Sequence, residues 1–431
     1  MTEFFACVNL IILGSIAWII RKKSDGLLHI FFWPALIFKS LAGIVLGLLY
    51  TCYYSTGDTF LYFNDGVTLA ELARQDPLEY LKFLWGGDGS FAVWRGLLEN
   101  QQSRVLFMVK FTSFFNLLTH DNYWITSLYF SFISFAFAWK LVGVISDVIP
   151  KVRLPAVVSF LFLPSAVFWS AGLIKESLAM AALFFLSSLV VKAWSRITLR
   201  LWEWMAMPFS LWLLWSLKYY YLAVFLPVTV TSIVAHAFFA RQRVSSTALS
   251  RVVIITGAFL ILLVSIVLMH PNFDPRILFG VIVSNYETFH AISAADDLIY
   301  YFDFQPTLGS MLLNAPWALI SGLFRPFLWE ASTLLQVLAA LENLLLMFMT
   351  AFALTNASRY FKSENRLKLI TLLAYSVVLC VFLALATPNF GTLSRYRVGF
   401  LPFFFLLITV YNPVGRRLLR FTERNPGDLV P

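Results

Sequence analysis

Cysteine, histidine and charged residues are all scarce in this sequence. The three cysteines, Cys7, Cys52 and Cys380, lie far apart in or beside apolar runs, and the five histidines are scattered without a His-Glu-x-x-His motif. No disulfide framework and no zinc site is therefore predicted. Charged residues make up 13% of the chain and apolar residues 60%, with a mean hydropathy of +0.78. Because many segments have no polar face to show water, this composition predicts a polytopic, all-α membrane protein.

Eleven apolar runs come close to the roughly 20 residues that a helix needs to cross a bilayer. They are residues 4–20, 29–52, 122–142, 154–171, 174–193, 201–217, 219–239, 252–269, 333–355, 369–387 and 396–412. The first is predicted to be a retained span, because it lacks a small-residue cleavage site. Two further stretches, 104–118 and 309–328, are broken by Lys110 or by Pro316 and Arg325, and we expect them to be interfacial or re-entrant. The predicted total is 11 to 13 helices.

Basic residues set the predicted orientation. With the N-terminus outside, most Lys and Arg between the spans fall on the cytoplasmic side, which is the positive-inside pattern. The chain is then one integral membrane domain, 1–431, with long outer loops at about 53–121 and 270–332 and a short cytoplasmic tail, 413–431. The first outer loop is expected to carry an amphipathic helix around "TLAELARQDPLEYLKFLW". The net charge of +9 therefore reflects topology and does not indicate nucleic-acid binding.

Nucleotide-binding motifs are missing as well. Neither a Walker A sequence nor a Gly-x-Gly-x-x-Gly fingerprint occurs, and the predicted cytoplasmic loops are too short for a soluble nucleotide-binding domain. Any energy source or group donor must then come from the membrane, from an ion gradient or from the outer side.

Polar residues that are unusual in a membrane protein fall on the predicted outer side. They are Asp58 and Asp65 after the second span, Lys175 and Glu176 at a tight hairpin, Lys218 and Tyr220 at the next turn, Arg325 and Glu330 beside Trp329, and Arg395 and Arg397 before the last span. We therefore expect chain segments that are distant in sequence to converge on one membrane surface.

The acidic residues have a structural and a catalytic interpretation. Asp58 follows "STG", so it is either a helix cap or, at the mouth of a bundle opposite several cations, a catalytic base. Asp65 is a second candidate. Glu176 in the first turn of a helix is favoured by the helix dipole, whereas Lys175 at the same end is opposed by it, which indicates an anion nearby.

The basic residues also have two interpretations. Arg325, in an aromatic stretch broken by proline, has the fork geometry that binds two phosphate oxygens. Arg395 and Arg397 are either further phosphate ligands or anchors that reach the membrane interface. Lys218, followed by three tyrosines that include Tyr220, belongs either to the same site or to an interfacial aromatic belt.

Two charges and two glycines stand out inside the predicted spans. Lys39 and Glu342 would be costly in contact with lipid, so we expect them to face the bundle interior or each other and not to act as catalysts. Gly43 and Gly47, in "GIVLG", form a pattern of small residues that is typical of close helix packing. These four residues are interpreted as structural.

Together these features resemble the GT-C superfamily of membrane glycosyltransferases, which use sugars carried on polyprenyl phosphate. The resemblance lies in an acid in the first long outer loop, Asp58 of "TGDTFLYFNDG", in the amphipathic segment of that loop, in the hairpin "FLPSAVFWSAGLIKESLAM" and in "RYR" before a proline-bearing span. It implies transfer of a sugar to a cell-surface glycan or lipid acceptor, on the non-cytoplasmic side of a bacterial inner membrane.

The resemblance also implies roles for single residues. Asp58 would be the base, with Asp65 and Glu176 as further catalytic residues. The substrate ligands would be Lys175, Lys218, Tyr220, Arg325, Glu330, Arg395 and Arg397. A polyprenyl tail dissolves only in lipid, so its phosphate lies at the interface, where these cations can hold it. No dedicated metal ligands are predicted, although a metal-assisted variant would share a Mg²⁺ or Mn²⁺ ion between Asp58 and Asp65.

Two other functions stay open from the sequence. The chain is similar to polymerases and ligases of the Wzy and O-antigen type, which act on undecaprenyl-diphosphate glycans and use outer arginines at the diphosphate. A lipid or solute transporter would instead carry polar residues along the whole membrane path. Charge in this sequence concentrates at one face, which favours an enzyme.

Overall fold

The protein is almost entirely helical. The computed structural model describes residues 2–24, 28–54, 57–86, 96, 98–99, 102–241, 257, 274–363, 365–410 and 412. Within these ranges there is no strand, and the one β-type pairing is an isolated bridge between Leu298 and Asn389. The prediction of an all-α protein is confirmed for the described residues. The predicted span 252–269, apart from residue 257, and the predicted tail 413–431 lie outside them.

The described residues form 17 α-helices, which are numbered in chain order. They are α1 (Thr2–Lys22), α2 (Leu28–Cys52), α3 (Asp58–Gln75), α4 (Pro77–Trp85), α5 (Ser103–Thr119), α6 (Tyr123–Val148), α7 (Arg153–Val157), α8 (Pro164–Phe168), α9 (Lys175–Trp194), α10 (Leu201–Arg241), α11 (Pro275–Ile292), α12 (Leu308–Phe324), α13 (Leu334–Thr355), α14 (Ala357–Lys362), α15 (Arg366–Ala386), α16 (Phe390–Tyr396) and α17 (Leu401–Thr409). Short 3₁₀ or π turns lie at Pro150–Val152, Val158–Phe162, Ala295–Asp297 and Arg397–Gly399.

Seven of the described helices are long and apolar enough to cross a membrane, namely α1, α2, α6, α9, α10, α13 and α15. Their ranges overlap predicted spans, and α10 alone covers two of them, 201–217 and 219–239. The stretches predicted to be interfacial or re-entrant form α5 and α12, each a helix of 17 residues. The protein is therefore an integral membrane protein by the length and composition of its helices, and the finer total of 11 to 13 spans stays a prediction.

Two predicted spans are not continuous helices. The run 154–171 divides into α7, a π-helical turn and α8, because Pro164 disfavours a helical conformation in the residue before it. The run 396–412 divides at the 3₁₀ turn Arg397–Gly399, after which α17 begins with Pro402 in its first turn. Apolar composition predicted these segments as single spans, but the backbone is interrupted.

The chain divides into two compact units, each with its own core. Unit 1 contains Met1–Val144, Ala166–Ser188 and Arg200–Tyr219, and unit 2 contains Ile145–Ser165, Leu189–Leu199 and Tyr220–Pro431. In unit 1, α3 packs along α5, with Leu69 and Met108 fully buried. In unit 2, α12 packs along α15, with Met311 and Leu379 buried.

A buried polar network fixes α3 in unit 1. A Cβ atom on Gly66 would lie 2.9 Å from the side chain of Thr112, so α3 and α5 approach closely only because this residue is glycine. The side-chain amide of Asn116 donates to the carbonyl of Phe63 at 3.2 Å and accepts from the Thr126 hydroxyl at 3.2 Å. These bonds tie α3 to both α5 and α6 and so hold the helix that carries Asp58 and Asp65.

The mid-span charges are satisfied separately. The Lys39 ammonium is buried and donates to the Ser170 hydroxyl at 2.5 Å and to the Val167 carbonyl at 3.3 Å. Glu342 accepts hydrogen bonds from the backbone N–H of Ser165, at 2.8 Å, and from its hydroxyl. Each charge therefore has a partner in the segment that leads to α9.

A left-handed glycine precedes α9. Gly172 has a φ of +72°, and its N–H donates to the Ser131 hydroxyl at 2.8 Å. Gly43 lies against the same two residues, and a Cβ on Gly43 would come within 2.4 Å of the Ser131 hydroxyl. Gly43 of "GIVLG" thus packs against the turn that leads into Lys175, whereas Gly47 packs against Tyr123 and Trp124.

We expect Gly172→Ala to lower the midpoint of thermal unfolding. A left-handed conformation costs an L-residue roughly 1–2 kcal/mol, and the added Cβ would lie 3.0 Å from a Leu46 methyl group. Gly143→Ala is the matched control, since a Cβ there meets nothing within 4 Å. Equal midpoints for the two variants in one detergent would contradict the constraint at Gly172.

Candidate functional site

The two aspartates of the first predicted outer loop lie on α3. The N-cap of α3 is Gly57 and carries no side-chain cap, so Asp58 is the first helical residue and not the cap. Asp58 is exposed, whereas Asp65 is buried and accepts a hydrogen bond from the N–H of Glu99 at 3.0 Å. Two helical turns separate the aspartates, so both occupy one face of α3.

A lysine from a distant segment reaches this helix face. The Lys175 ammonium lies 5.2 Å from the centroid of the Tyr62 ring. Tyr62 follows Asp58 by one helical turn and precedes Asp65 by another, so it shares their face. The contact brings the first residue of α9 to the helix that carries Asp58.

The next residue of α9 forms a buried ion pair. Glu176 is fully buried, and its Oε1 lies 2.7 Å from the Lys218 ammonium, which is 6% exposed. Lys218 is the one residue with non-helical backbone inside α10, with φ −145° and ψ 65°. It separates helical arms that match the two predicted spans, 201–217 and 219–239. Glu176 and Lys218 therefore act on each other and position the start of α9.

We call these residues of unit 1 the lysine cluster. They are Asp58, Tyr62, Asp65, Lys175, Glu176 and Lys218. Three segments that are far apart in sequence contribute to it, and its charges include both acids and cations. It is the part of the predicted outer-face group that unit 1 brings together.

Arg397, in unit 2, is a buried cation without a partner among the described residues. Its side chain is 1% exposed, and none of its three guanidinium nitrogens makes a hydrogen bond there. The Glu342 carboxylate attracts it electrostatically, but Glu342 is bonded to Ser165 and forms no ion pair with it in the described part of the chain. The Tyr375 hydroxyl donates to the carbonyl of Gly399 at 2.9 Å and so braces the turn that holds Arg397.

Arg325, in contrast, is already paired. Its Nε lies 3.0 Å from both carboxylate oxygens of Glu330, and its Nη2 lies 2.6 Å from one of them. The guanidinium also stacks on the rings of Trp317, at 5.5 Å, and Phe390, at 4.8 Å. Glu330 accepts the N–H of Phe327 as well, at 2.8 Å. Arg325 and Glu330, which the sequence predicted as substrate ligands, bind each other in this structure.

The remaining predicted residues of unit 2 lie at the same turn as Arg397. Tyr220 is half-buried, and its ring centroid is 6.3 Å from that of Tyr396. Tyr396 lies between Arg395, which is half-buried at the end of α16, and Arg397. We call the residues Tyr220, Arg325, Glu330, Arg395 and Arg397 the arginine cluster. The expectation that both clusters share one membrane surface stays a prediction.

Comparison of the chain with known protein families, with characterised proteins and with solved structures finds no match. The resemblance to membrane glycosyltransferases therefore rests on the motifs quoted above. Its functional consequences are argued below from the geometry of the two clusters.

The structure adds one residue, Tyr62, to the candidate site. Tyr62 was visible as the residue one helical turn after Asp58, but its contact with Lys175 spans too long a stretch of chain to be deduced from spacing. Within the described ranges, no three His, Cys, Asp or Glu side chains gather closely enough to hold a metal ion. Binding of a divalent ion between Asp58 and Asp65 thus stays a prediction from the resemblance to membrane glycosyltransferases.

Proposed function

We propose that the protein is an integral-membrane glycosyltransferase, which moves a sugar from a polyprenyl-phosphate-linked donor to a cell-surface glycan or lipid acceptor. The reaction would take place on the non-cytoplasmic side of a bacterial inner membrane. The observation that carries the proposal is the contact between Lys175 and Tyr62, because it sets a cation against the helix face of Asp58 and Asp65.

The lysine cluster suits displacement at an anomeric carbon. The exposed Asp58 carboxylate would take the proton of the acceptor hydroxyl as its oxygen bonds to the sugar carbon. The bond from that carbon to the phosphate oxygen breaks, and the electron pair stays on the phosphate, where the Lys175 ammonium offsets the negative charge. Glu176 and Lys218 act at a distance, since their ion pair holds Lys175 in place.

The arginine cluster favours a second candidate, a polymerase or ligase that acts on undecaprenyl-diphosphate glycans. A buried guanidinium without hydrogen bonds is costly, so the environment of Arg397 suits an anion that would satisfy it. A diphosphate supplies two adjacent anionic groups, for which Arg397 and Arg395 are the candidate ligands.

Purified protein in lipid nanodiscs separates these functions. With a polyprenyl-phosphate sugar and a glycan acceptor, we expect transfer of single sugars, with and without Mg²⁺ or Mn²⁺. Consumption of lipid-diphosphate oligosaccharides with a ladder of products would support the second candidate. Movement of lipid across the bilayer of a vesicle without any transfer would instead indicate a transporter and contradict both enzymatic proposals.

We expect Arg397→Met and Arg325→Met to affect thermal stability in opposite ways. Replacing the unpaired Arg397 removes a buried charge, so the midpoint of thermal unfolding without ligand should stay the same or rise. Arg325→Met leaves Glu330 unpaired and should destabilise the protein by about 3 kcal/mol. Lipid-phosphate binding should fall in Arg397→Met despite its stability, and a lower midpoint in both variants would contradict an unpaired Arg397.

A further inference from the structure

Arg104, near the start of α5, stacks on a residue beside the lysine cluster. Its guanidinium carbon lies 4.4 Å from the centroid of the Tyr219 ring, and Tyr219 directly follows Lys218. Arg104 is exposed, and within the described part of the chain it makes no hydrogen bond and no ion pair with a carboxylate. Its N–H donors are therefore open to a ligand.

Arg104 is connected to the lysine cluster through Tyr219. Tyr219 directly follows Lys218, whose ammonium pairs with Glu176, and Glu176 directly follows Lys175, whose ammonium lies 5.2 Å from the centroid of the Tyr62 ring. Arg104 therefore stacks on a residue that is adjacent in sequence to the lysine cluster.

Charge and geometry distinguish Arg104 from Lys218. The charge of Lys218 is offset by Glu176 at 2.7 Å, whereas Arg104 adds a positive charge that no described carboxylate offsets. Stacking on an aromatic ring orders the flat guanidinium while its edge stays open. That edge matches two oxygens of a phosphate, which a lysine cannot bind in the same way.

We propose that Arg104 is a substrate-binding residue, whose guanidinium binds the phosphate of a polyprenyl-phosphate lipid, and that Tyr219 is the residue that positions it. The inference rests on the proposed function, since it assigns a second phosphate contact beside Lys175. The sequence analysis missed it because residues 104–118 read as an interfacial helix, in which an arginine at the border attracts no attention.

Binding to nanodiscs tests the assignment directly. We expect Arg104→Gln and Arg104→Lys to weaken the binding of a polyprenyl phosphate by about tenfold, without a change in the midpoint of thermal unfolding. Arg74→Gln is the matched control, because Arg74 is an arginine of unit 1 that is paired with Asp121 at 2.7 Å. Inorganic phosphate is the second probe, and it separates recognition of the anion from recognition of the lipid.

Variants of Tyr219 test whether binding depends on the stacked position of Arg104 or only on its positive charge. Tyr219→Phe keeps the ring and should bind like the unmodified protein, whereas Tyr219→Leu should weaken binding. The double variant Arg104→Lys, Tyr219→Leu should lose less than the sum of the two single losses, because both act through one contact.

The outcomes distinguish this inference from the proposed function. Binding of polyprenyl phosphate by Arg104→Gln at the affinity of the unmodified protein would overturn the inference and leave the proposed function intact. If the unmodified protein bound no lipid phosphate and transferred no sugar, the proposed function and the lipid assignment would both fail. A loss in Arg104→Gln that was equally large for inorganic phosphate would support the phosphate contact and assign it to the anion alone.

Discussion

Asp58→Asn should lower the rate of sugar transfer by about 10²–10⁴-fold, the range typical of losing a general base. Asparagine keeps the size of the side chain but cannot take up the proton of the acceptor hydroxyl. Asp58 is exposed in the first turn of α3, where the interaction of its carboxylate with the helix dipole contributes about 0.3–1 kcal/mol to the folded state. The measurement is the rate of transfer from a polyprenyl-phosphate sugar in nanodiscs, at saturating donor.

Asp76→Asn provides the control for Asp58. Asp76 lies in the same predicted loop but caps α4, where its carboxylate accepts the N–H groups of Leu78 and Glu79 at 3.1 and 3.0 Å. We expect this variant to transfer sugar at a normal rate. An Asp58→Asn protein that worked as fast as Asp76→Asn would remove Asp58 as the base.

The buried pair of Glu176 and Lys218 should show the largest effect on stability. Either Glu176→Leu or Lys218→Met leaves one buried charge without its partner and should lower the free energy of unfolding by about 3–5 kcal/mol. The double variant removes both charges and should regain most of this loss. Unfolding in one detergent, followed for the two single variants and the double variant, measures the coupling.

Transfer by the double variant then separates two roles of Lys218. If Lys218 only positions α9, a stable double variant should transfer sugar again, because Lys175 is retained. A stable but inactive double variant would contradict this and show that Lys218 also serves the substrate. Lys140→Met is the control, since it breaks another buried pair of unit 1, with Glu203 at 2.5 Å, and lies outside the lysine cluster.

Helices were predicted correctly from the sequence where a long apolar run is enough to determine a continuous helix. Helices such as α2, α13 and α15 are predominantly apolar, and a long apolar run has few alternatives in a membrane. The runs 154–171 and 396–412 have similar composition, but the first is interrupted before Pro164 and the second at the 3₁₀ turn Arg397–Gly399, which precedes Pro402 in the first turn of α17. Hydropathy measures the cost of contact with water and does not include the hydrogen bonds that a proline removes.

The candidate site was only partly readable from the sequence. The conflict between Lys175 and the helix dipole predicted an anion near that residue, and the contact that the structure shows is with the aromatic ring of Tyr62. The pairing of Glu176 with Lys218 depends on how α9 and α10 pack, which local spacing does not encode. For the same reason, nothing in the sequence separates the paired Arg325 from the unpaired Arg397.

Under the proposed role of Arg397 as an anion ligand, its guanidinium without hydrogen bonds would make thermal unfolding of the unliganded protein sensitive to the anion that it binds. A molecule that binds only the folded form raises the unfolding temperature in proportion to the logarithm of its concentration over its dissociation constant. Heating the protein with a panel of anions would therefore rank candidate headgroups before any enzymatic assay exists. The anion that gives the largest upward shift, if that shift is absent in Arg397→Met, would be identified as the one that Arg397 binds.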